Sequence, residues 1–288
     1  KAYETEEKAV SLEDTVFYVK IAVGDTEYRF NKRLSAFDSI RNGGAELLDR
    51  PMEYNFFRAP ADNDVMKNDW YSAHLNDHKV KNYGVSAEIT PEGAVISLRQ
   101  SFVWNMYQPI AYMDVKYVIS SRGLNIKCKA EFSNKVPFLP RFGIRLFMPK
   151  SFDRVEYFGY GPYESYIDKH QADYIGNFSA RIEDMHEDYI RPQENSSHFG
   201  CKHMSVSDGN REIIFTSPED FSFNASEFTQ EELAGKSHNF ELEKCGSSVI
   251  CVDSMMAGMG SAACGPQLAE KYRLPLPLIS AEFNIHIK

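Results

Sequence analysis

The 288-residue sequence predicts an all-β fold, a large antiparallel sandwich with few short helices. Three observations carry this expectation. Apolar and polar residues alternate with period two from one end of the chain to the other, turn residues recur at a spacing of roughly 8–12 residues, and helical patterning is confined to two short stretches. Side chains of a strand point alternately to opposite faces, so period two marks a strand with one face in the core and one in water. No fixed-period repeat and no low-complexity linker interrupts the strand signals, which points to one domain over residues 1–288.

Near the start, "FYVKIAV" and "GDTEYRF" alternate on either side of Gly24-Asp25, residue types that accept the positive φ of a tight hairpin. "NDWYSAHLNDHKV" predicts a short helix, and "GAVISLRQSFVW" a strand after it. "LNIKCKAEFS" puts Leu124, Ile126, Cys128, Ala130 and Phe132 on one face and Asn125, Lys127, Lys129, Glu131 and Ser133 on the other. "VEYFGY" and "EIIFTS" are further strands. "TQEELAGKS" predicts the second helix, with Thr229 as N-cap, Glu232 completing a capping box and Gly235 ending it. At the end, "SAEFNIHIK" alternates Ala281, Phe283, Ile285 and Ile287 with polar residues.

A formal net charge of -9 argues against nucleic acid or an anionic membrane as partner, and no apolar run approaches the ~20 residues that cross a bilayer. The five cysteines lack a CxxC pair, and an odd number cannot all be bridged within the chain. They read as thiols of a reducing, cytoplasmic setting, without the His cluster that would make a zinc site. The opening "KAYETEEKAV" has neither an initiator Met nor a leader, so the chain reads as a piece excised from a longer protein, and a leader lost with the missing part keeps the periplasm open.

Glycosidic bond cleavage with retention needs two carboxyl groups ~5–5.5 Å apart. Glu156, Glu164 and Glu194 lie among aromatic residues, but the strand-end pattern of a (β/α)8 barrel that would present such a pair is missing, and carboxylates accepting loop hydrogen bonds are the favoured reading. In "FFRAPADNDV" the run Asp62, Asn63, Asp64 offers oxygens to a cation or to sugar hydroxyls, against an Asx-rich turn held by Arg58, which is favoured. "DYIRPQENSSHFG" brings Gln193, Glu194, Asn195 and His198 to one loop, a density that suits sugar recognition and self-satisfied loops equally. His74, His78, His170, His198 and His203 lie in polar segments without a partner spacing that marks a general base. Nucleophile elbows, P-loops and dinucleotide fingerprints are absent. The stretch "GYGPYESYIDKHQADYIGNF" would place Glu164, Tyr166 and Asp168 on one side if extended, and reads mainly as a polar lock rather than a substrate contact.

Six segments together resemble a known family: "FFRAPADND" at 56–64, "LPRFG" at 139–143, "YGPYESYIDKHQADYIGNF" at 160–178, "YIRPQEN" at 189–195, "FSFNASEFTQEELAGKSH" at 221–238 and "GMGSAACGPQLAEKY" at 258–272. In order and spacing they are similar to the C-terminal small-chain region, domain 5, of glycoside hydrolase family 2 β-galactosidases. The resemblance implies a galactose mutarotase-like super-sandwich that follows a catalytic barrel in a retaining β-galactosidase. It also implies that no catalytic residue lies in this chain, which alone would be inactive, and that no metal or cofactor is bound by it, Mg and Na belonging to the missing catalytic domain. The implied partners are that barrel, a β-galactoside such as lactose and further copies of the enzyme.

By the same resemblance, Asn63, Asp64 and Met66 border the substrate pocket, Met66 standing where many relatives have Gly. Cys264 takes the place of a Trp that stacks on the sugar in many relatives. A thiol has no aromatic face. Trp70 and Tyr272 are the candidates to replace that contact. Arg58, Glu164, Tyr166, Asp168, Glu194 and Asn195 form a structural polar cluster in this reading. The alternatives are a free-standing aldose 1-epimerase-like enzyme, whose usual His-x-Tyr/Trp-Phe-Asn run is missing here, and a galactose-binding module.

Overall fold

The computed structural model of the chain describes residues 8–104, 109–136, 138–261 and 266–288; Cys264 lies outside them. Strands β1 (Val10–Asp14), β2 (Tyr18–Val23), β3 (Thr26–Asn31), β4 (Ala36–Asn42) and β5 (Ala45–Glu46) form a five-stranded antiparallel sheet in chain order. The hairpin expected at Gly24-Asp25 is there: Val23 pairs with Thr26, leaving a two-residue turn in which Gly24 adopts a φ of +58°.

The rest of the chain builds a second, larger sheet. Its strands are β6 (Arg50–Asn55), β7 (Lys79–Thr90), β8 (Gly93–Val103), β9 (Ala111–Ser120), β10 (Gly123–Phe132), β11 (Arg141–Pro149), β12 (Arg154–Gly161), β13 (Tyr174–Arg181), β14 (Ser197–Ser207), β15 (Glu212–Ser226), β16 (Ser247–Met256) and β17 (Leu278–Ile287). Among the described residues the α-helices α1 (Lys67–Ser72) and α2 (Gln230–Gly235) accompany it.

The main path runs β13-β12-β14-β15-β17-β10-β9-β8-β7, and β16, β11 and β6 branch from β15. The branch arises within β15 itself. Residues 213–216 pair with β17, while residues 222–226 pair with β16. One strand therefore serves two directions of the sheet and sets β11 and β16 side by side.

Burial follows the predicted alternation. In β10, Leu124, Ile126, Cys128, Ala130 and Phe132 are buried and Lys127, Lys129 and Glu131 exposed. The first sheet packs on this one through rings: Phe30 and Phe37 lie 5.5 Å and 5.1 Å from Tyr117 of β9. Deeper, Phe56 meets Phe102, Phe132 and Phe142 at 4.7, 5.3 and 5.6 Å. Each such fully buried ring contributes about 1.5–3 kcal/mol, which is why the aromatic positions hold the layers together.

One local expectation needs correction. Thr229 caps α2 by accepting from the Glu232 N–H at 3.1 Å, but the Glu232 carboxylate turns to the Glu243 N–H at 2.9 Å, so the reciprocal half of the box is not made. Gly235 ends the helix as expected, and the chain leaves it at Lys236 in extended conformation.

Candidate functional site

The segments singled out in the sequence converge at one end of the sandwich. The loop after β6 turns at Asp64, whose backbone N–H donates to the Ala61 carbonyl at 3.0 Å and whose Oδ2 accepts from the Ala61 N–H at 2.9 Å. Arg58, wholly buried, holds this turn by donating from Nη2 to Asp64 Oδ1 at 2.6 Å and from Nε to Oδ2 at 3.3 Å. The same guanidinium reaches the segment after β16 through the carbonyls of Ala257 (2.7 Å) and Gly258 (3.0 Å). A planar fork of five N–H donors suits this task, because one side chain can fix two loops at set angles. Asp62 lies outside the lock, exposed and paired with Arg191 at 3.2 Å. Asn63 is half-buried, and Met66 packs partly on the main core at the start of α1.

Below the loop lies a second buried arginine. Arg141, on β11, donates to Asp253 through Nε (2.9 Å) and Nη2 (2.5 Å), to Glu194 through Nη1 (2.7 Å) and to Asn224 through Nη2 (2.6 Å). Glu194 in turn accepts from the Ala59 N–H at 3.0 Å and from Asn224 Nδ2 at 3.1 Å. Burial pushes the Glu194 and Asp253 carboxyls upward, and the guanidinium between them pulls both back. Gly143 allows the strands to meet here, since a Cβ there would collide with the Val252 carbonyl and the Asp253 side chain.

Glu164, Tyr166 and Asp168 do not share one face, because the chain bends instead of running extended. The Gly161–Pro162 peptide is cis, and Tyr166 and Lys169 exchange backbone hydrogen bonds of 2.7 and 3.0 Å. Glu164 turns inward, where its carboxylate accepts from Lys169, the Tyr189 hydroxyl, the Tyr166 hydroxyl at 3.3 Å and the Ser196 N–H at 3.2 Å. Asp168 turns to the segment after β16 and accepts from the N–H groups of Met259 (2.8 Å), Gly260 (3.1 Å) and Ser261 (2.9 Å) and from the Ser261 hydroxyl (2.6 Å). Burial raises the Asp168 pKa, but these donors outweigh it and hold the group below the ordinary aspartate range. Ala61, Tyr166, Met256 and Met259 form a small apolar cluster between the three loops.

Asn195 is placed apart from these networks, accepting from the Glu187 N–H at 3.3 Å and donating to the Gln193 carbonyl at 2.9 Å. Trp70 requires a correction: it is fully buried, its ring set against Phe138 at 5.6 Å and under the Arg58 guanidinium at 5.4 Å, so it has no face to offer a sugar. It is the buried residue of α1, whose other positions are half-buried or exposed. Tyr272 is half-buried near this end, and its backbone carbonyl accepts from the Gly258 N–H at 3.0 Å.

Beside the rim, a cleft of about 870 Å³ opens between Ile167, Phe199, Lys202, Met255 and Met256. The carboxylates of the rim are bound up in hydrogen bonds and ion pairs, an arrangement that fixes loops rather than attacking a bond. Glu156 is exposed on β12. Among the described residues, no group of three or more His, Cys, Asp or Glu side chains is placed to hold a metal ion.

Arg141, Asn224 and Asp253 went unassigned in the sequence reading. The signal for Arg141 and Asp253 is a charge inside an apolar run, as in "VICVDSMM", since a charge in a central strand is buried only with a partner.

Residues 22–287 match the family model described as beta galactosidase small chain. The chain is 32% identical to a β-galactosidase of Actinobacillus pleuropneumoniae over 98% of its own length and 28% of the relative's, and 33% identical to one of Staphylococcus xylosus over 98% and 29%. It thus spans under a third of the curated relatives it matches. Among solved structures it is similar to a galactose mutarotase-like protein of Clostridium acetobutylicum (TM-score 0.54, 8% identity, 98% and 99% of the two chains covered). A galactose 1-epimerase of Lactobacillus acidophilus is similar too (TM-score 0.50, 8% identity, 99% and 99% covered), and at such identity these likenesses establish the galactose mutarotase-like fold alone. On the family match across nearly its whole length, the chain belongs to the β-galactosidase small-chain family.

Proposed function

We propose that this chain is the C-terminal, non-catalytic part of a retaining β-galactosidase of glycoside hydrolase family 2. In that enzyme it packs on the catalytic barrel and completes the pocket for a terminal β-D-galactoside such as lactose. The observation that carries the reading is the match of nearly the whole chain to less than a third of each β-galactosidase relative. The state of the rim carboxylates supports it, because Glu194 and Asp253 share one guanidinium and Glu164 is surrounded by donors. A nucleophile or general acid needs a free lone pair or a transferable proton facing the substrate.

In this reading the loop 61–66, the turn 163–170 and the segment 257–261 form one wall of the pocket, held in register by Arg58 and Asp168. Asn63 and Met66 border the substrate on that wall. Mg and Na, the nucleophile and the acid/base belong to the barrel, the enzyme is a homo-oligomer, and its compartment is the cytoplasm. The test is hydrolysis of a chromogenic β-galactoside by the purified 288-residue chain and by the full-length enzyme. Turnover by the full-length enzyme alone is expected, and turnover by the chain overturns the reading.

A further inference from the structure

A second cleft, of about 520 Å³, lies between the first sheet and the inner face of β8, and none of its lining residues belongs to the rim loops. At its inner end is Gln100, 1% exposed, whose Oε1 and Nε2 both have no hydrogen-bond partner among the described residues. Gln100 falls at an inward position of β8, in line with Leu98 and Phe102, where an apolar side chain would be expected. A buried amide left without partners costs about 1–3 kcal/mol for each unmatched group, a penalty that Met or Leu would avoid. A side chain that gains nothing inside the protein and sits at the floor of a cleft is placed to meet something that enters it.

The surroundings say what enters. His78 lines the same cleft with its Nδ1–H committed to the Leu75 carbonyl at 3.1 Å, which leaves Nε2 as an acceptor. Burial lowers the His78 pKa and favours this neutral form. Arg145, which also lines the cleft, is already held by Glu53 at 2.7 Å and Glu231 at 2.9 Å, so its charge awaits no counter-ion. Tyr54, Phe57 and Phe102 supply apolar ring walls. Neutral donors and acceptors at the end of an aromatic slot match a molecule with adjacent hydroxyl groups, because each hydroxyl donates and accepts and two of them complement the amide O and NH2 together. The volume lies within the roughly 300–1,000 Å³ of small-molecule sites.

We propose that this cleft binds a neutral polyol of monosaccharide size, gripped at its inner end by the Gln100 amide and His78 Nε2. The site is separate from the rim, so its fate is independent of the galactosidase reading.

The test is protein-observed NMR of the 288-residue chain titrated with D-glucose and, separately, D-galactose into the millimolar range. The Gln100 side-chain amide and the His78 ring signals are expected to shift and saturate. Gln100→Met is expected to weaken the sugar-dependent shift of the His78 signals roughly tenfold or more while leaving the thermal midpoint unchanged or higher, since it removes an unpaired buried amide. Asn76→Trp, which narrows the mouth without touching the amide, is expected to weaken binding likewise and decides the matter if Gln100→Met does not fold. Absence of a saturable shift with both sugars overturns the proposal. Unchanged affinity in either folded variant overturns it as well.

Discussion

Arg141 and Asp253, both fully buried and 112 residues apart, meet through two parallel hydrogen bonds of 2.9 and 2.5 Å at the point where β11 and β16 pair. The same guanidinium holds Glu194 at 2.7 Å, so one cation serves two carboxylates that have no access to water. Removing it leaves both buried without a counter-charge. Arg141→Leu is expected to destabilise the chain by about 3–5 kcal/mol in urea unfolding, the usual cost of breaking a buried pair from one side. The triple change Arg141→Leu, Glu194→Leu, Asp253→Leu, with no orphaned charge, is expected to cost less than Arg141→Leu alone.

Arg58 differs in spanning loops instead of strands. Lysine keeps the charge but presents a point donor where the guanidinium makes a fork to Asp64 and two carbonyls. Arg58→Lys is expected to lose about 2–4 kcal/mol, with amide exchange rising most in residues 61–66 and 257–259. Uniform loss of protection across β11 and β16 instead would show that Arg58 supports the sheet and not the loops.

The Asp168 carboxylate gathers four donors from Met259, Gly260 and Ser261. Its folded pKa is held below the unfolded value, so its contribution is present above the unfolded pKa near 4 and is lost as pH falls through the folded pKa. Asp168→Asn is expected to flatten the acid limb of the stability-versus-pH curve below about pH 4. Gly258→Ala is expected to disturb the same contact at every pH, because its Cβ would fall on the Asp168 carboxylate. Denaturation midpoints at stepped pH check both.

His198 tests the core at milder pH. It is 3% exposed, stacked near Tyr157 at 4.5 Å and Phe223 at 5.2 Å, and burial pushes its pKa down from 6.5 to about 4 despite the hydrogen bond to the Tyr160 carbonyl. Below 6.5 the unfolded chain takes up a proton that the folded one refuses, so stability falls as pH drops from 6.5 toward 4. The expected slope is about 1.4 kcal/mol per pH unit in that window. His198→Phe is expected to remove this share of the slope; an unchanged slope would place the titration elsewhere.

Much of the architecture was legible because alternation is a local property. The faces of β10 and β17 follow from residues two apart, and Gly24-Asp25 specified its own turn. Helix α2 could be placed from Thr229 and its end from Gly235, yet its capping box is only half made, since the Glu232 carboxylate finds a donor 11 residues away. Trp70 was misassigned for a related reason. A Trp in a short helix has the same sequence signature whether its face meets a ligand or, as here, Phe138 and Arg58.

By itself, the sequence determined the all-β class, the in-and-out pattern of strands such as β10 and β17 and the membership of the small-chain family, all of which reside in short windows or in motif order. Only the tertiary structure decided that β15 pairs with both β16 and β17, that Arg141 lies between Glu194 and Asp253, and that Gln100 meets no partner among the described residues. The physical reason is range. A hydrogen bond between residues more than a hundred positions apart exists only once the sheet has brought them within about 3 Å, and no local preference encodes which of many buried charges that neighbour is.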